Sequence, residues 1–519
     1  MKILSREDAK NLDLLIQKEY LFDELVLMEN AGIDSYNFLK KKLGKDFYFN
    51  VFVIVCGVGN NGGDGLVLAR RLLEDDVKVY VFIFGKKEKF SSSTKRNFNI
   101  LSKLTEVKVF EDFSMEDVIN EFNKVIASNT VVVDALFGVG VKSSIREPFS
   151  YVIESLNELK NRGVKILSID LPSGFIPSFN KKEVLSSYPV VKADWTITFF
   201  SIKAGMFLPE MKEYLGEVYV SRLGFNERIL CSLVKNNVNY LGNLVSFNFP
   251  KREVSSNKGS NGKVIFIGGS DNYFGGFLLA VKASMKTPVG YPIAFVLEKF
   301  INVIKQYLPD VVSIPLPSGN RGFFSEDDAD YIIESNLIKS NDVVVIGNGI
   351  GNNQDTMKFF RKLTLGLNNI LIIDADGINL LSEDKELLKE LIHKNNIVLT
   401  PHLKEFSRIS GYSLEEVKND PFYLGRSFAL ENKINIVLKD NVNYIFFSDG
   451  ESWVCDMGTP VLARAGSGDV LSGFIGGFTS FTKDIKLGVI SGVRLFGEMV
   501  YNIPNKTPYP SITEILNSL

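Results

Sequence analysis

The sequence has few of the residues that mark several classes of protein. Only three cysteines occur among 519 residues, and Cys56, Cys231 and Cys455 are far apart, with no Cys-x-x-Cys pair. This spacing argues against a disulfide framework and against a zinc site. No uninterrupted apolar run approaches the ~20 residues of a membrane span, and the first residues do not resemble a signal peptide. We therefore expect a cytoplasmic protein with no membrane partner.

An excess of charge of one sign is also missing. The chain has 59 basic and 61 acidic side chains, which gives a net charge of −2. This balance does not indicate binding to nucleic acid or to an anionic membrane. A hydrophobic content of 45% is sufficient for the buried sheets of an ordinary enzyme.

What the chain does contain is two series of apolar runs that alternate with helical patterns. The first series has predicted strands at Val51–Cys56, Val77–Phe84, Val107–Phe110, Thr130–Asp134 and Val164–Asp170. The second has them at Lys263–Ile267, Tyr291–Val296, Asp342–Ile346, Asn369–Asp374, Asn396–Leu399 and Ile434–Leu438. This alternation predicts parallel sheets with right-handed crossovers, the first of them doubly wound. Because 519 residues exceed one core, we predict two α/β domains, at residues 1–225 and 251–519, with a linker or boundary region at 226–250.

A glycine-rich turn follows the first predicted strand. Its Gly57, Gly59 and Gly62 match the Gly-x-Gly-x-x-Gly fingerprint, so a Rossmann dehydrogenase is one alternative. The second strand is followed by Gly85-Lys86-Lys87 and lacks the acidic residue that binds ribose, although lysines are compatible with a 2′-phosphate. Asp64 is the stronger objection, because it would put a carboxylate at the helix N-terminus where the pyrophosphate must bind.

The polar residues of this half suggest a different use. Asn60, Asn61 and Asp64 offer side-chain oxygens, and Asp134 and Ser173 end neighbouring strands. Oxygen ligands with few charges suit a hard, monovalent cation. The alternative is that these side chains only tie turns through bonds to the backbone.

One aspartate in each half is a candidate for catalysis. Asp170 ends an apolar strand, where partial burial could tune it for general acid–base work. In the second half, the backbone N–H groups of Gly466-Ser467-Gly468 could hold a phosphoryl group while Asp469 takes a proton from an attacking hydroxyl. A capping role is the alternative for both. No Gly-x-x-x-x-Gly-Lys-Ser/Thr segment occurs, which excludes a P-loop. His402 follows a predicted strand, and this position is equally compatible with binding a ligand and with a structural role.

These segments together resemble the bifunctional NAD(P)H-hydrate repair enzymes. The first half is similar to the epimerase domain, of Rossmann-like fold, at Leu27–Gly32, Gly57–Arg70, Asp134–Gly140, Asp170–Gly174, Ala193–Phe199 and Lys203–Gly205. The second half is similar to the ADP- or ATP-dependent dehydratase domain, of ribokinase-like fold, at Lys258-Gly259, Ile267–Ser270, Tyr273–Gly276, Gly347–Gly351, Asp374–Gly377, Thr400–Glu405 and Gly466–Leu471. The likeness covers nearly the whole chain in the expected order.

The resemblance implies a site and a reaction for each half. The first would interconvert the R and S hydrates of NADH or NADPH with Asp170, and the second would dehydrate the S hydrate with Asp469, consuming ADP or ATP and releasing phosphate. The residues implied to bind the hydrate are Asn60, Asn61, Gly62, Gly63, Asp64, Gly138, Val139, Gly140, Val141, Lys142, Ser143, Ser144, Asp170, Gly276, Gly349, His402 and Asp469. Those implied to bind the nucleotide are Lys439, Asp440, Asn441, Val442, Asn443 and Gly468. Those implied to bind potassium are Asn61, Asp134 and Ser173.

Mg²⁺ and a homo-oligomeric state are further expectations from the resemblance. One alternative is a ribokinase-like small-molecule kinase, which would release a stable phosphorylated product. In a second alternative, the first half is a ligand-binding module that has no catalytic activity.

Overall fold

The computed structural model describes residues 1–393, 396–500 and 509–519. It divides into an N-terminal unit, Met1–Asn236, and a C-terminal unit, Asn237–Leu519. Among the described residues, no helix combines the length and the apolar character that crossing a membrane requires.

The N-terminal unit consists of a parallel sheet with helices on its two faces. Its strands are β1 (Val51–Cys56), β2 (Lys78–Phe84), β3 (Val107–Phe110), β4 (Thr130–Ala135), β5 (Lys165–Ile169), β6 (Trp195–Phe199) and β7 (Glu217–Ser221). Its helices are α1 (Arg6–Glu19), α2 (Glu24–Leu43), α3 (Asn60–Leu73), α4 (Ser92–Leu101), α5 (Met115–Val125), α6 (Phe149–Asn161), α7 (Lys181–Leu185), α8 (Lys212–Leu215) and α9 (Glu227–Leu233). The strand order is β3-β2-β1-β4-β5-β6-β7.

Strand β1 shows why this sheet is buried on both faces. Phe52 and Ile54 pack into the core on one face, whereas Val53 and Val55 pack into the core on the other. Successive side chains of a strand point to opposite faces, so a continuous apolar run requires cover on both sides. The strand order reverses between β1 and β4, and such a switch point is where open α/β sheets bind ligands.

The C-terminal unit has a larger, mixed sheet. Its strands are β8 (Val238–Tyr240), β9 (Lys263–Ile267), β10 (Tyr291–Leu297), β11 (Val312–Leu316), β12 (Val343–Ile346), β13 (Ile370–Ile373), β14 (Asn396–Leu399), β15 (Asn435–Leu438), β16 (Asn443–Phe446) and β17 (Ser452–Cys455). Its helices are α10 (Phe274–Ser284), α11 (Ile301–Tyr307), α12 (Glu326–Glu334), α13 (Gln354–Gly366), α14 (Asp376–Glu383), α15 (Lys385–Ile392), α16 (Leu403–Ser410), α17 (Leu414–Asn419), α18 (Pro421–Asn432), α19 (Ser467–Thr482), α20 (Ile485–Glu498) and α21 (Ile512–Asn517).

The strand order of this second sheet is β11-β10-β9-β12-β13-β14-β15-β16-β17-β8. In this order, all strands from β11 through β10 and β9 to β15 are parallel. Strand β16 runs antiparallel to both of its neighbours. Val264 and Phe266 of β9 share a core with Val281 of α10 and Phe474 of α19. The order reverses between β9 and β12, which places a second switch point beside α19.

The division between the units lies inside the segment 226–250 that we predicted as the boundary. This segment is more than a linker. Helix α9 packs Leu230 into the N-terminal core, and β8 pairs with β17 in the C-terminal sheet.

The predicted strands are present, with ends that differ by at most one residue, but β6, β7, β8, β11, β16 and β17 were not predicted as strands. Three of these, β7, β8 and β11, lie at sheet edges and pair with a neighbouring strand on one side only. Strand β7 exposes Glu217 and part of Tyr219, and β11 contains Pro315. Their patterns are therefore not the continuous apolar runs that reveal central strands.

Candidate active sites

A cavity of about 860 Å³ lies at the carboxyl edge of the N-terminal sheet. The predicted substrate residues that line it are Asn60, Asn61, Asp64, Gly138, Val139, Gly140, Val141, Lys142, Ser143, Ser144 and Asp170. Gly62 and Gly63 are buried and do not line it. A Cβ on Gly62 would collide with the carbonyl oxygen of Gly57, and one on Gly63 would collide with Met28. These two glycines thus allow close packing of the turn.

Asp170 is held firmly at the wall of this cavity. Its Oδ2 accepts a hydrogen bond of 3.0 Å from the backbone N–H of Val139, and its Oδ1 pairs at 2.7 Å with Nζ of Lys203. Lys203 is only 2% exposed and donates its other bonds to Thr198 Oγ1 and the Phe199 carbonyl, at 2.7 and 2.8 Å. Asp170 also has a positive φ of 65°, a strained conformation that surrounding contacts must maintain. The carboxylate therefore has a fixed position beside the cavity.

Of the three residues predicted to bind potassium, Asp134 and Ser173 are hydrogen-bonded to each other, whereas the side chain of Asn61 has no hydrogen-bond partner. Asp134 is fully buried, and its carboxylate accepts bonds from the backbone N–H and the hydroxyl of Ser173 at 2.8 and 2.5 Å. Burial raises the pKa of Asp134, and the bonds from Ser173 and Ser168 oppose that rise. Asn61 lines the cavity, and both polar atoms of its amide are buried without a hydrogen-bond partner. An unpartnered buried amide oxygen is a fitting ligand for a hard cation.

Asp64 has a different electrostatic state from the one that the sequence suggests. It lines the cavity and is partly exposed there, and its partial burial together with the charges of Asp170 and Asp13 raises its pKa well above the usual value. A raised pKa reduces the negative charge on the carboxyl group, and so reduces its repulsion of a pyrophosphate. Asp64 therefore opposes a dinucleotide at this turn less strongly than a full negative charge would.

Several polar residues line this cavity that the sequence did not predict as site residues. Lys203 lies in a segment that we compared with the family, but nothing there indicated its contact with Asp170. Asp13, Lys10 and Glu24 also line the cavity, from α1 and α2. They lie in ordinary helical patterns away from strand ends, so no local signal marks them.

Four side chains meet at the carboxyl edge of the C-terminal sheet. Asn348 follows β12 and donates from Nδ2 to Oδ1 of Asp469 at 2.7 Å and to Oδ2 of Asp374 at 3.3 Å. Lys439 follows β15, and its Nζ pairs with Oδ1 of Asp374 at 2.6 Å. Burial lowers the pKa of Lys439, but the carboxylates of Asp374 and Glu405 outweigh this effect and raise it. Lys439 is therefore a permanent cation at this edge.

Asp469 lies in the first turn of α19, directly after Gly466 and Gly468. Gly466 has a φ of 91°, in the left-handed region that suits glycine. Burial and the neighbouring charge of Asp374 raise the pKa of Asp469 to about 6, against the lowering effect of Asn348. A Cβ on Gly276 would lie 2.8 Å from Oδ2 of Asp469, which places this predicted substrate residue against the carboxylate.

His402 is a helix cap in the structure. Its Nδ1 accepts bonds from the backbone N–H groups of Lys404 and Glu405 at 3.1 and 3.2 Å, and its Nε2 lies 3.5 Å from Oε1 of Glu405. Burial and the charge of Lys439 lower the pKa of His402, which makes the ring neutral near pH 7. Gly349 lies near the start of α10, where a Cβ would collide with the carbonyl oxygen of Tyr273.

The predicted nucleotide segment is only partly assembled with this cluster. Nζ of Lys439 lies 3.0 Å from where a Cβ of Gly468 would be. Asp440 and Asn441 are exposed in the turn after β15, whereas Val442 and Asn443 are buried at the start of β16. The structure thus brings Lys439 and Gly468 together, and the other four residues have no described contact with Asp469.

Asn348, Asp374 and Glu405 are residues of this site that the sequence did not predict. Glu405 caps α16 together with His402, and burial raises its pKa to about 7. Asn348 and Asp374 follow predicted strands, which was a usable signal. Their contacts with Asp469 and Lys439 join residues that are far apart in the chain.

Comparisons with known proteins give the same division of the chain. Residues 24–205 match the family described as YjeF-related protein N-terminus, and residues 264–517 match the family described as NAD(P)H-hydrate dehydratase. The bifunctional NAD(P)H-hydrate repair enzyme Nnr of Dictyoglomus turgidum is 32% identical over 505 residues, which cover 96% of this chain and 93% of the relative. Its counterpart from Thermofilum pendens is 31% identical and covers 94% and 90% of the two chains.

A solved ADP/ATP-dependent NAD(P)H-hydrate dehydratase from Bacillus subtilis, co-crystallised with ATP and Mg²⁺, is 24% identical to this chain. The match covers 52% of this chain and 91% of that one, with a TM-score of 0.43.

Two α/β units, each with a hydrogen-bonded carboxylate at the carboxyl edge of its sheet, define a two-site enzyme. The predicted fold class of two α/β domains, the first with a doubly wound parallel sheet, is confirmed. The chain belongs to the family of bifunctional NAD(P)H-hydrate repair enzymes.

Proposed function

We propose that this chain repairs hydrated NADH and NADPH at two sites. The N-terminal unit interconverts the R and S hydrates, and the C-terminal unit dehydrates the S hydrate with the help of ADP or ATP. The observation that carries this proposal is the presence of one hydrogen-bonded carboxylate in each unit, the buried Asp170 and the half-buried Asp469, at the carboxyl edge of its sheet.

Epimerisation needs a group that moves protons beside a reactive ring. The hydrate carries a hydroxyl group at C6 of the reduced nicotinamide, and the lone pair of N1 can expel it to leave an iminium. Water can then add to either face of C6. Asp170 is the positioned acid–base, and its ion pair with Lys203 keeps the carboxylate in one orientation.

Dehydration needs a better leaving group than hydroxide. Asp469 takes the proton of the C6 hydroxyl, and the freed oxygen attacks the terminal phosphoryl group of the nucleotide. Phosphate then leaves C6 as the lone pair of N1 forms the iminium. Loss of a proton from the ring converts this iminium into NAD(P)H. Lys439 and the N–H groups around Gly468 lie beside Asp469 and can hold phosphoryl oxygens.

The proposal includes a potassium ion at the N-terminal site and Mg²⁺ with the nucleotide at the C-terminal site. Asn61, Asp134 and Ser173 would hold potassium, and the unpartnered amide of Asn61 supports this assignment. Potassium would supply positive charge for anionic groups of the substrate, and Mg²⁺ would accompany the nucleotide phosphates. The cytoplasmic location and the homo-oligomeric state stay predictions.

The test mixes a defined ratio of R and S hydrates with purified protein and either ADP or ATP, and follows the absorbance of the reduced nicotinamide. Full recovery of both epimers with release of phosphate is the expected result. Recovery of only the S hydrate would contradict the epimerase assignment. A stable phosphorylated product without recovery would favour the small-molecule kinase.

The position of Gly138 gives a prediction for the first site. A Cβ at this residue would lie 2.8 Å from Oδ2 of Asp170, so Gly138→Ala must displace the carboxylate. We expect epimerisation to slow by about tenfold or more, since a 1 Å misplacement can cost about 10²-fold. Gly140→Ala is the matched control, because its added Cβ meets no atom within 4 Å. Equal rates for the two variants, measured by interconversion of a single pure hydrate, would count against this role of Asp170.

The raised pKa of Asp469 gives a prediction for the second site. A general base must be ionised, so the dehydration rate should increase as pH rises through about 6 and then level off. Asn348 lowers the pKa of Asp469, so Asn348→Ala should move this limb to higher pH. The measurement is the rate of dehydration of the pure S hydrate at saturating nucleotide from pH 5 to pH 9. A rate that is already constant from pH 5 upward, or a limb that does not move in the variant, would contradict the prediction.

A further inference from the structure

Asp13 is a carboxyl group of the N-terminal cavity that has no role in the reaction described so far. It lies in the middle of α1 and lines the same cavity as Asp170, which follows β5. The two carboxyl groups therefore reach the cavity from different elements of the fold.

The surroundings of these two carboxyl groups differ. Asp170 is an ion-paired carboxylate, bound by Lys203 and by the Val139 N–H. Among the described residues, none forms a hydrogen bond or an ion pair with the side chain of Asp13. Burial and the negative charges of Asp170 and Glu24 raise the pKa of Asp13 to about 6, although Lys203 lowers it. Two carboxyl groups in such contrasting environments are suited to opposite roles, one as acid and one as base.

This inference rests on the proposed epimerase reaction. We propose that Asp13 is a second catalytic residue of the N-terminal site, the general acid that protonates the departing C6 hydroxyl group, while Asp170 is the base for the incoming water.

The bond changes balance without any further reactant. In the first step the N1 lone pair forms the N1=C6 double bond, the C6–O bond breaks, and the oxygen leaves as water with the proton of Asp13. In the second step water adds to the other face of C6, N1 regains its lone pair, and Asp170 accepts the released proton. Transfer of that proton from Asp170 to Asp13 through solvent restores the starting state. The reverse direction uses the same groups with their roles exchanged.

The charged groups around Asp13 define how the reaction should respond to pH. Asp170 and Lys203 act on it from the ends of β5 and β6, Glu24 from α2, and Asp64 from α3. Lys10 lines the same cavity from α1 itself. The acid must be protonated, so epimerisation should slow as pH rises above about 6.

The experiment uses the full chain and the variant Asp13→Asn, which keeps the size of the side chain and removes its proton. A single pure hydrate is incubated in ¹⁸O-labelled water, and both epimer interconversion and ¹⁸O incorporation at C6 are measured from pH 5 to pH 9. We expect a loss of about 10²-fold and the disappearance of the decline above pH 6. Glu7→Gln is the matched control, because Glu7 is an exposed carboxylate of the same helix.

Two further measurements separate catalysis from folding and from the proposed function. Nucleotide-dependent dehydration of the S hydrate should be unchanged in Asp13→Asn, and Asp13→Glu should keep the decline with pH at a reduced rate. A wild-type rate in Asp13→Asn, or a slow rate that retains the decline above pH 6, would overturn the role of Asp13 and leave the epimerase intact. A wild-type chain that does not interconvert the hydrates at all would instead overturn the proposed function itself.

Discussion

Asp469→Asn abolishes nucleotide-dependent dehydration, with an expected fall of up to about 10⁴-fold, and leaves epimerisation at the wild-type rate. Asparagine has the size of aspartate and can still accept the bond that Asn348 donates at 2.7 Å, so the local packing is retained. What it cannot do is take a proton from the C6 hydroxyl. The loss should therefore appear in kcat, with nucleotide binding little changed.

The measurement for Asp469 is the appearance of reduced nicotinamide from the pure S hydrate at saturating ADP or ATP. Asp355→Asn is a suitable control, because Asp355 also lies in the first turn of a helix but is exposed on α13. A variant at position 469 that retains a tenth or more of the wild-type rate would show that Asp469 is not the base, since general acid–base groups contribute about 10²-fold or more.

Asp170→Asn stops interconversion of the hydrates, by about 10³-fold, while the S hydrate is still dehydrated at the wild-type rate. A mixture of epimers should then be recovered only in part, and the R hydrate should remain. The variant also leaves the buried ammonium group of Lys203 without its counter-charge. Removing one partner of a buried ion pair costs about 3–5 kcal/mol, so the N-terminal unit should unfold more easily.

A double variant separates these two effects of Asp170. Asp170→Asn combined with Lys203→Met removes the uncompensated charge and should regain much of the lost stability, measured by denaturant unfolding. It should not regain epimerisation, measured with a single pure hydrate. Recovery of activity in the double variant would mean that Asp170 serves only to neutralise Lys203.

Much of the architecture was predictable from local sequence. Continuous apolar runs indicated the central strands of both sheets, because strands covered on both faces need no polar alternation. The same runs placed Asp134, Asp170, Asn348 and Asp374 at strand ends. Edge strands such as β7 and β11 were not recognised, because their exposed faces interrupt the apolar pattern.

The sites were less predictable than the sheets. His402 looked like a ligand-facing residue, yet most of its hydrogen-bonding capacity caps α16. Asp64 looked like a fixed negative charge, yet burial favours its neutral form. Asp13 was not predicted as a site residue, because the sequence of a helix does not reveal which other elements pack against it.

The sequence by itself determined two α/β domains and the turns that carry an aspartate in each, because strand periodicity and glycine-rich turns are local properties of the chain. Tertiary structure decided which groups those aspartates meet and how they are charged. Lys203 reaches Asp170 across 33 residues, and Asn348 reaches Asp469 across 121. Burial and Coulomb forces depend on such distant neighbours, so the acid–base character of each carboxyl group follows from the fold.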